Sequence, residues 1–148
     1  MSIINVHASC VAFGNKAVLI RGPSGAGKSD LALRLIDSQG FGTSGSLKHA
    51  VLVSDDQVLL SRENSKVMVF PPPALAGKFE IRGIGIVETP YRPKAKLELV
   101  IDLKSNAEIE RMPEYSSQET EILGLIFRRF EVDAFSPSAA AKIRALLS

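Results

Sequence analysis

The sequence predicts one α/β domain, and three observations lead to this fold class. A short apolar run at residues 17–20 is followed by a glycine-rich loop and then an amphipathic run, the succession expected of a strand, a loop and a helix. Other apolar runs of strand length recur along the chain, which indicates a sheet of several strands. Near the end, Ser136-Pro137 precedes an alanine-rich run and marks a typical helix start.

The composition is that of an ordinary globular protein. The chain has 148 residues, 45% hydrophobic and 23% charged, which suits one domain with one sizeable core. A formal net charge of only +2 argues against a dedicated nucleic-acid-binding or membrane-surface protein. No stretch approaches the ~20 apolar residues that span a bilayer, and no secretory signal is evident. The single cysteine, Cys10, lies in an apolar run, so we expect a buried thiol and a cytoplasmic location.

The elements follow from apolar runs and turn signals. Gly14-Asn15 and the polar residues 63–65 each predict a hairpin turn, residues 39–48 a surface loop, and the three prolines at 71–73 a break. Residues 120–127 fit a strand or a helix. The predicted helices cover 27–38 and 139–147, and the predicted strands cover 3–12, 17–20, 50–53, 58–60, 66–70 and 97–103. The FEIRG segment at 79–83 is expected to be extended.

The loop after the second strand contains a phosphate-binding motif. Its glycines let the backbone surround a phosphate with amide groups, and the following helix adds its positive amino-terminal end. Lys28 is placed to reach the β- and γ-phosphates, and the Ser29 hydroxyl to bind Mg²⁺. The motif predicts binding of a nucleoside triphosphate or another polyphosphate, but it does not identify the acceptor. The eight residues that fit G-x-x-x-x-G-K-[ST] are Gly22, Pro23, Ser24, Gly25, Ala26, Gly27, Lys28 and Ser29.

Two further segments carry candidate catalytic groups. Asp55 and Asp56 end the strand at 50–53, and adjacent side chains of a strand point to opposite faces. One carboxylate is therefore expected to face the phosphate and the other to hold a neighbouring loop. Glu80 and Arg82 flank one residue, so both can face the same side and serve Mg²⁺ and phosphate. A plain surface ion pair explains the second pair equally well.

The remaining candidates have weaker signals. His7 lies in the first predicted strand, where a lone histidine is more often structural than catalytic. Arg111 has no signal of its own, and neither histidine has a second metal-type ligand at a spacing that suits zinc.

Taken in order, these segments resemble the catalytic domain of HPr kinase/phosphorylase. The phosphate-binding motif alone is unspecific, whereas its combination with EIRGIGIV further along the chain is specific to that family. The similarity extends from about Ile3 to about Leu125. The segments that carry it are HASCVAFGNKAVLIRGPSGAGKSDLALRLI, VLVSDD, FEIRGIGIV, ERMPEY and ETEILGL.

The resemblance implies a P-loop-containing, phosphoenolpyruvate carboxykinase-like mixed β-sheet core with flanking helices. It implies a single catalytic domain over residues 1–148, of the short form that lacks the family's additional N-terminal domain. The implied activity is that of an ATP-dependent protein-serine kinase acting on the phosphocarrier protein HPr of the bacterial phosphotransferase system, with phosphorylase activity as a further expectation. The implied cofactors are Mg²⁺ and ATP, or pyrophosphate as donor, and the implied assembly is a hexamer.

The resemblance also implies a role for each matching residue. Asp56 is expected to be the acid–base group, and Glu80 to bind Mg²⁺ together with Ser29. The P-loop, Gly22 to Ser29, is expected to hold ATP or pyrophosphate. The other residues expected in the catalytic site are His7, Lys28, Arg82 and Arg111.

Two other functions remain open from the sequence. A small-molecule kinase or carboxykinase relative would share the P-loop but needs a closed pocket for its metabolite. A non-catalytic nucleotide-binding regulator of a sensory pathway would retain its activity without Asp56. The chain departs from the family pattern in a longer stretch at 39–49 and in its last segment, after residue 125.

Overall fold

The computed structural model describes residues 2–114 and 118–147. This part of the chain forms a nine-stranded sheet, a separate two-stranded hairpin and two α-helices. The helices are α1 (Lys28–Asp37) and α2 (Ala139–Leu146). The strands are β1 (Ile3–Val6), β2 (Ala8–Phe13), β3 (Lys16–Arg21), β4 (Val51–Ser54), β5 (Val58–Glu63), β6 (Lys66–Phe70), β7 (Lys78–Ile81), β8 (Gly85–Glu88), β9 (Ala95–Leu103), β10 (Glu119–Ile122) and β11 (Leu125–Val132).

The large sheet is mixed, as the sequence predicts. Its main order is β1-β5-β6-β9-β3-β2-β4, and β11 also pairs with β9 while β10 pairs with β11. β9 runs parallel to β3 and to β11, whereas the other described pairs are antiparallel. The predicted α/β class with a mixed sheet and flanking helices is therefore confirmed.

Both faces of the central strands are buried, which explains their continuous apolar runs. In β3, Val18 and Ile20 lie in the core on the helix side, whereas Ala17 and Leu19 lie in the core on the other side. Both helices pack on the first of these cores. Cys10 is buried in the second, as predicted, and burial raises the pKa of its thiol far above the usual range.

The helix after the P-loop forms as predicted. Leu31, Ala32 and Leu35 are its buried residues, spaced to share one face. Asp30 and Arg34 form an ion pair one turn apart on the exposed side, at 3.2 Å. The helix ends where the Ser38 hydroxyl donates to the Arg34 carbonyl at 2.7 Å. Among the described residues, no helix is long and apolar enough to cross a membrane.

Both predicted hairpin turns are confirmed. Phe13 pairs with Lys16 across Gly14-Asn15, and Glu63 pairs with Lys66 across Asn64-Ser65. Asn64 has a φ of 60°, a left-handed conformation that asparagine tolerates better than most residues.

Three predictions need correction. The run at 3–12 is two strands, because β1 pairs with β5 while β2 pairs with β3 and β4. The extended segment expected at 79–83 ends with β7 at Ile81, and Arg82 lies in the turn that leads into β8. The last helix begins at Ala139 and its cap position is Ser138 rather than Ser136, and the Ser138 side chain makes no capping hydrogen bond to the helix. Residues 120–127, ambiguous in sequence, are strands on both sides of a turn.

Candidate active site

The P-loop joins β3 to α1, and its lysine is hydrogen-bonded to the first two residues of the loop. The Lys28 ammonium donates to the carbonyl oxygens of Gly22 at 2.7 Å and Pro23 at 3.1 Å. Gly27 has a φ of 97°, and a Cβ added there would lie 2.9 Å from the Cβ of Ala134. The loop therefore needs glycine at position 27 both for its backbone conformation and for the close approach of residue 134.

Asp55 connects the P-loop to the sheet and to the β7–β8 hairpin. This carboxylate is buried, with 6% of the residue exposed. One oxygen accepts the hydroxyls of Ser29 at 2.7 Å and Ser9 at 2.9 Å, and the other accepts the backbone amide of Glu80 at 3.3 Å. Because Ser29 donates its proton to Asp55, the lone pairs of that hydroxyl remain available to a cation.

Asp56 differs from Asp55 in both exposure and neighbours. Its backbone φ is 68°, and its side chain is 63% exposed. The amide of Ala8 donates to the Asp56 carbonyl at 3.2 Å, which brings the β1–β2 junction alongside. His7 occupies that junction, and its Nδ1 lies 3.6 Å from an Asp56 carboxylate oxygen. The break between β1 and β2 thus places His7 beside Asp56.

The β7–β8 hairpin presents Glu80 and Arg82 on the same side as the P-loop. Phe79 is buried in the helix-side core, so the alternation of strand side chains leaves Glu80 exposed. A turn follows in which the amide of Ile84 donates to the Ile81 carbonyl at 3.0 Å. Gly83 has a φ of 85° in this turn.

One cavity brings most of the predicted site residues together. It has a volume of about 470 Å³. Parts of the P-loop form one wall, and Asp56 and the β7 end of the hairpin form another. The predicted residues that line it are Ser24, Gly25, Gly27, Lys28, Ser29, Asp56, Glu80 and Arg82.

Five predicted residues lie outside this lining: His7, Arg111 and the P-loop residues Gly22, Pro23 and Ala26. His7 contacts the site through Asp56. Arg111 lines a different cavity of about 700 Å³, together with Phe130 and Lys142. A catalytic role for Arg111 stays a prediction from the resemblance.

A partly buried ion network lies at the base of the P-loop. Arg21, the last residue of β3, pairs with Asp102 of β9 through two bonds of 2.7 and 3.0 Å, and Arg129 of β11 donates to the same carboxylate at 2.6 Å. Burial raises the pKa of Asp102, but the bonds and charges of Arg21 and Arg129 outweigh it, so the net pKa lies below the usual range. The network joins the three parallel strands just before Gly22.

The residues present fit a magnesium–phosphate complex better than a free metal. Across residues 2–114 and 118–147, no group of three His, Cys, Asp or Glu side chains is positioned to hold a metal. Mg²⁺ usually takes one or two protein ligands and completes its coordination with phosphate oxygens and water. Ser29 and Glu80 line one cavity beside the P-loop, which agrees with that donor set.

Comparison with known proteins places this geometry in a family. The family model described as "HPr Serine kinase C-terminal domain" matches residues 2–143, further than the similarity seen in the sequence alone. HPr kinase/phosphorylase of Cupriavidus metallidurans is 36% identical over 132 residues, covering 82% of this chain and 38% of the relative. That of Burkholderia lata is 35% identical over 130 residues, covering 81% and 37%.

A solved structure agrees with these sequence matches. The HPr(Ser) kinase/phosphatase from Coxiella burnetii superposes with a TM-score of 0.76 at 26% identity, over 97% of this chain and 93% of that one. The chain spans only about 33–38% of the length of the curated relatives it matches. The chain therefore belongs to the HPr serine kinase C-terminal domain family.

Proposed function

We propose that the chain is an ATP-dependent protein-serine kinase that phosphorylates the phosphocarrier protein HPr, and that the same site also runs the reverse, phosphorylase reaction. The observation that carries the proposal is the single cavity lined by Lys28, Ser29, Asp56 and Glu80. Family membership supports the substrate, because the relatives are named HPr kinase/phosphorylase.

In the forward reaction, Asp56 accepts the proton of the substrate serine hydroxyl as that oxygen attacks the γ-phosphorus. The bond from phosphorus to the bridging oxygen of ADP breaks, and ADP leaves. Lys28 and the P-loop amides neutralise charge on the moving phosphoryl oxygens. His7, 3.6 Å from Asp56, orients that carboxylate. Ser29 and Glu80 would hold Mg²⁺, which supplies positive charge at the phosphates when bound.

In the reverse reaction, inorganic phosphate attacks the phosphoserine and pyrophosphate forms. Asp56 then returns its proton to the serine oxygen as the bond from that oxygen to phosphorus breaks. The same groups serve both directions, since the P-loop that holds the β- and γ-phosphates of ATP also fits pyrophosphate.

The exposure of the acid–base group supports a protein substrate over a small one. The Asp56 side chain is 63% exposed, and Arg82 is exposed as well. A metabolite kinase has to exclude water around a small acceptor, which an open rim does not do. We extend the proposal to a cytoplasmic location, a single domain over residues 1–148 and a homo-oligomer of the hexameric kind.

Incubation of the chain with HPr, Mg²⁺ and ATP tests the proposal, with mass spectrometry as the readout. We expect one phosphate on a serine of HPr, and its removal with release of pyrophosphate when inorganic phosphate replaces ATP. No phosphoserine with ATP or pyrophosphate as donor would contradict the proposal. Phosphorylation of a metabolite but not of HPr would indicate that the chain is a small-molecule kinase or carboxykinase relative. Full biological activity of the Asp56→Asn variant would indicate that the chain is a non-catalytic nucleotide-binding regulator.

A further inference from the structure

Phe135 is an exposed aromatic side chain in the wall of the P-loop cavity, and the proposed reaction does not use it. It follows β11 in the connection to α2, and 72% of it is exposed. It lines the same cavity as Gly27 and Leu33. An aromatic ring left uncovered in the wall of a cleft that also holds charged groups is typical of a ligand contact rather than of the fold's own core.

The backbone that carries Phe135 is fixed on both sides. The amide of Phe135 donates to one carboxylate oxygen of Asp133 at 2.9 Å, and the other oxygen accepts the amide of Asn106 at 3.0 Å. The preceding residue, Ala134, is buried, and its carbonyl accepts a hydrogen bond from the Arg34 guanidinium of α1. The backbone of Phe135 is therefore held at a fixed place beside the helix, and its ring is exposed.

The ring lies against Gly27, the last glycine of the P-loop. A Cβ built on Gly27 would lie 3.4 Å from Cζ of Phe135 and 3.5 Å from its Cε1. When the loop amides hold a phosphate group, the part of the ligand attached to that phosphate would thus lie within reach of the ring. Leu33, one turn into α1, extends the apolar surface next to the ring. The charged residues of the cavity are Lys28, Asp30, Asp56, Glu80 and Arg82.

We propose that Phe135 is the stacking platform for the base of the bound nucleotide, and thus the residue that favours a nucleotide over pyrophosphate as ligand. The inference rests on the proposed nucleotide-binding function and adds a residue to it. Base–aromatic stacking does not depend on which base is present. The structure therefore assigns Phe135 a preference for nucleotides as a class, with ADP and GDP bound similarly.

The sequence offers a direct reporter, because the chain contains no tryptophan. In Phe135→Trp the new indole is the only one, and Mg-ADP is expected to quench its fluorescence while Mg-pyrophosphate leaves it nearly unchanged. In calorimetry, Phe135→Ala is expected to bind Mg-ADP about tenfold more weakly than the wild type and Mg-pyrophosphate equally well. Phe41→Ala is the matched control, since Phe41 is 51% exposed but lies in the loop at 39–48.

The outcomes separate this inference from the proposed function. Equal losses for ADP and pyrophosphate in Phe135→Ala would indicate that the ring only supports the P-loop and would overturn the inference. Unchanged ADP binding would overturn it as well. Quenching by ADP in a protein that does not phosphorylate HPr would support the inference and contradict the kinase.

Discussion

Asp55 and Ser29 are joined by a 2.7 Å hydrogen bond in which the serine hydroxyl donates to a buried carboxylate. The same carboxylate accepts Ser9 and the amide of Glu80. It therefore connects the start of α1, strand β2 and the β7–β8 hairpin, and it fixes how far the P-loop lies from Glu80. Asp55 acts through other groups, so we regard it as a positioning residue.

Replacing Asp55 is expected to weaken magnesium–nucleotide binding. Asp55→Asn keeps the shape of the side chain but removes its charge, and the new amide NH₂ group would face one of the groups that donate a hydrogen bond to Asp55. Mg-ADP affinity should therefore fall about 10–100-fold in calorimetry. Asp55→Ala should also lower the free energy of unfolding by about 1–3 kcal/mol for each donor left buried without a partner. Asp37→Asn, at the exposed end of α1, is the control. Wild-type affinity in Asp55→Asn would show that Ser29 needs no such support.

Asp56→Asn is expected to separate catalysis from binding. An amide cannot accept the serine proton, so the rate of phosphoryl transfer to HPr should fall about 10²–10⁴-fold. Because the side chain is 63% exposed, stability and Mg-ADP affinity should stay near wild-type values. Single-turnover kinetics and calorimetry on the same preparation measure both. A rate within about threefold of wild type would exclude Asp56 as the base.

Gly25 and Gly27 provide a matched pair within the P-loop. Both have positive φ, 83° and 97°, so alanine is strained at either position. A Cβ at Gly25 meets nothing within 4 Å, whereas one at Gly27 meets the Cβ of Ala134 at 2.9 Å. We expect Gly27→Ala to lower the free energy of unfolding by about 1–3 kcal/mol more than Gly25→Ala, as urea denaturation can show. Equal losses of unfolding free energy in the two variants would mean that Ala134 moves aside for the new methyl group without cost.

The Asp102 network predicts a pH dependence of stability. The pKa of Asp102 is lower in the folded chain than its usual value of about 4, so its contribution is present above that pH. The contribution is lost as the pH falls through the folded pKa. Asp102→Asn should be about 1–3 kcal/mol less stable than wild type at pH 7, with the difference shrinking below pH of about 4. Urea denaturation at several pH values measures this, and a constant difference would contradict the assignment.

The site was predictable where local sequence determines local structure. The P-loop glycines, Lys28 and the helix that follows depend on neighbouring residues. Glu80 and Arg82 both line the cavity, but Ile81 lines it as well and Arg82 lies in a turn, so strand alternation does not describe this segment. The sequence did not predict that Asp55 is the buried carboxylate that connects neighbouring segments, because no local pattern shows which of two adjacent acids is buried.

The arginine pair at 128–129 shows the same limit. No local pattern in the sequence indicates its partners, yet Arg129 binds Asp102 and Arg128 donates to the Leu146 carbonyl at 2.8 Å. The break at His7 also depends on which strands pair with β1 and β2. Partners of this kind, brought together from distant parts of the chain, are set by tertiary packing rather than by local pattern.

The central claim is that the P-loop and the acids Asp56 and Glu80 surround one metal-bound nucleotide. Mn²⁺ binding followed by electron paramagnetic resonance tests this most directly, in the presence and absence of ADP. The account predicts a site that needs ADP and that weakens at least about tenfold in Glu80→Gln. Glu88→Gln, on the other strand of the hairpin, should bind like wild type. Equal Mn²⁺-ADP affinity in wild type and Glu80→Gln would contradict the account.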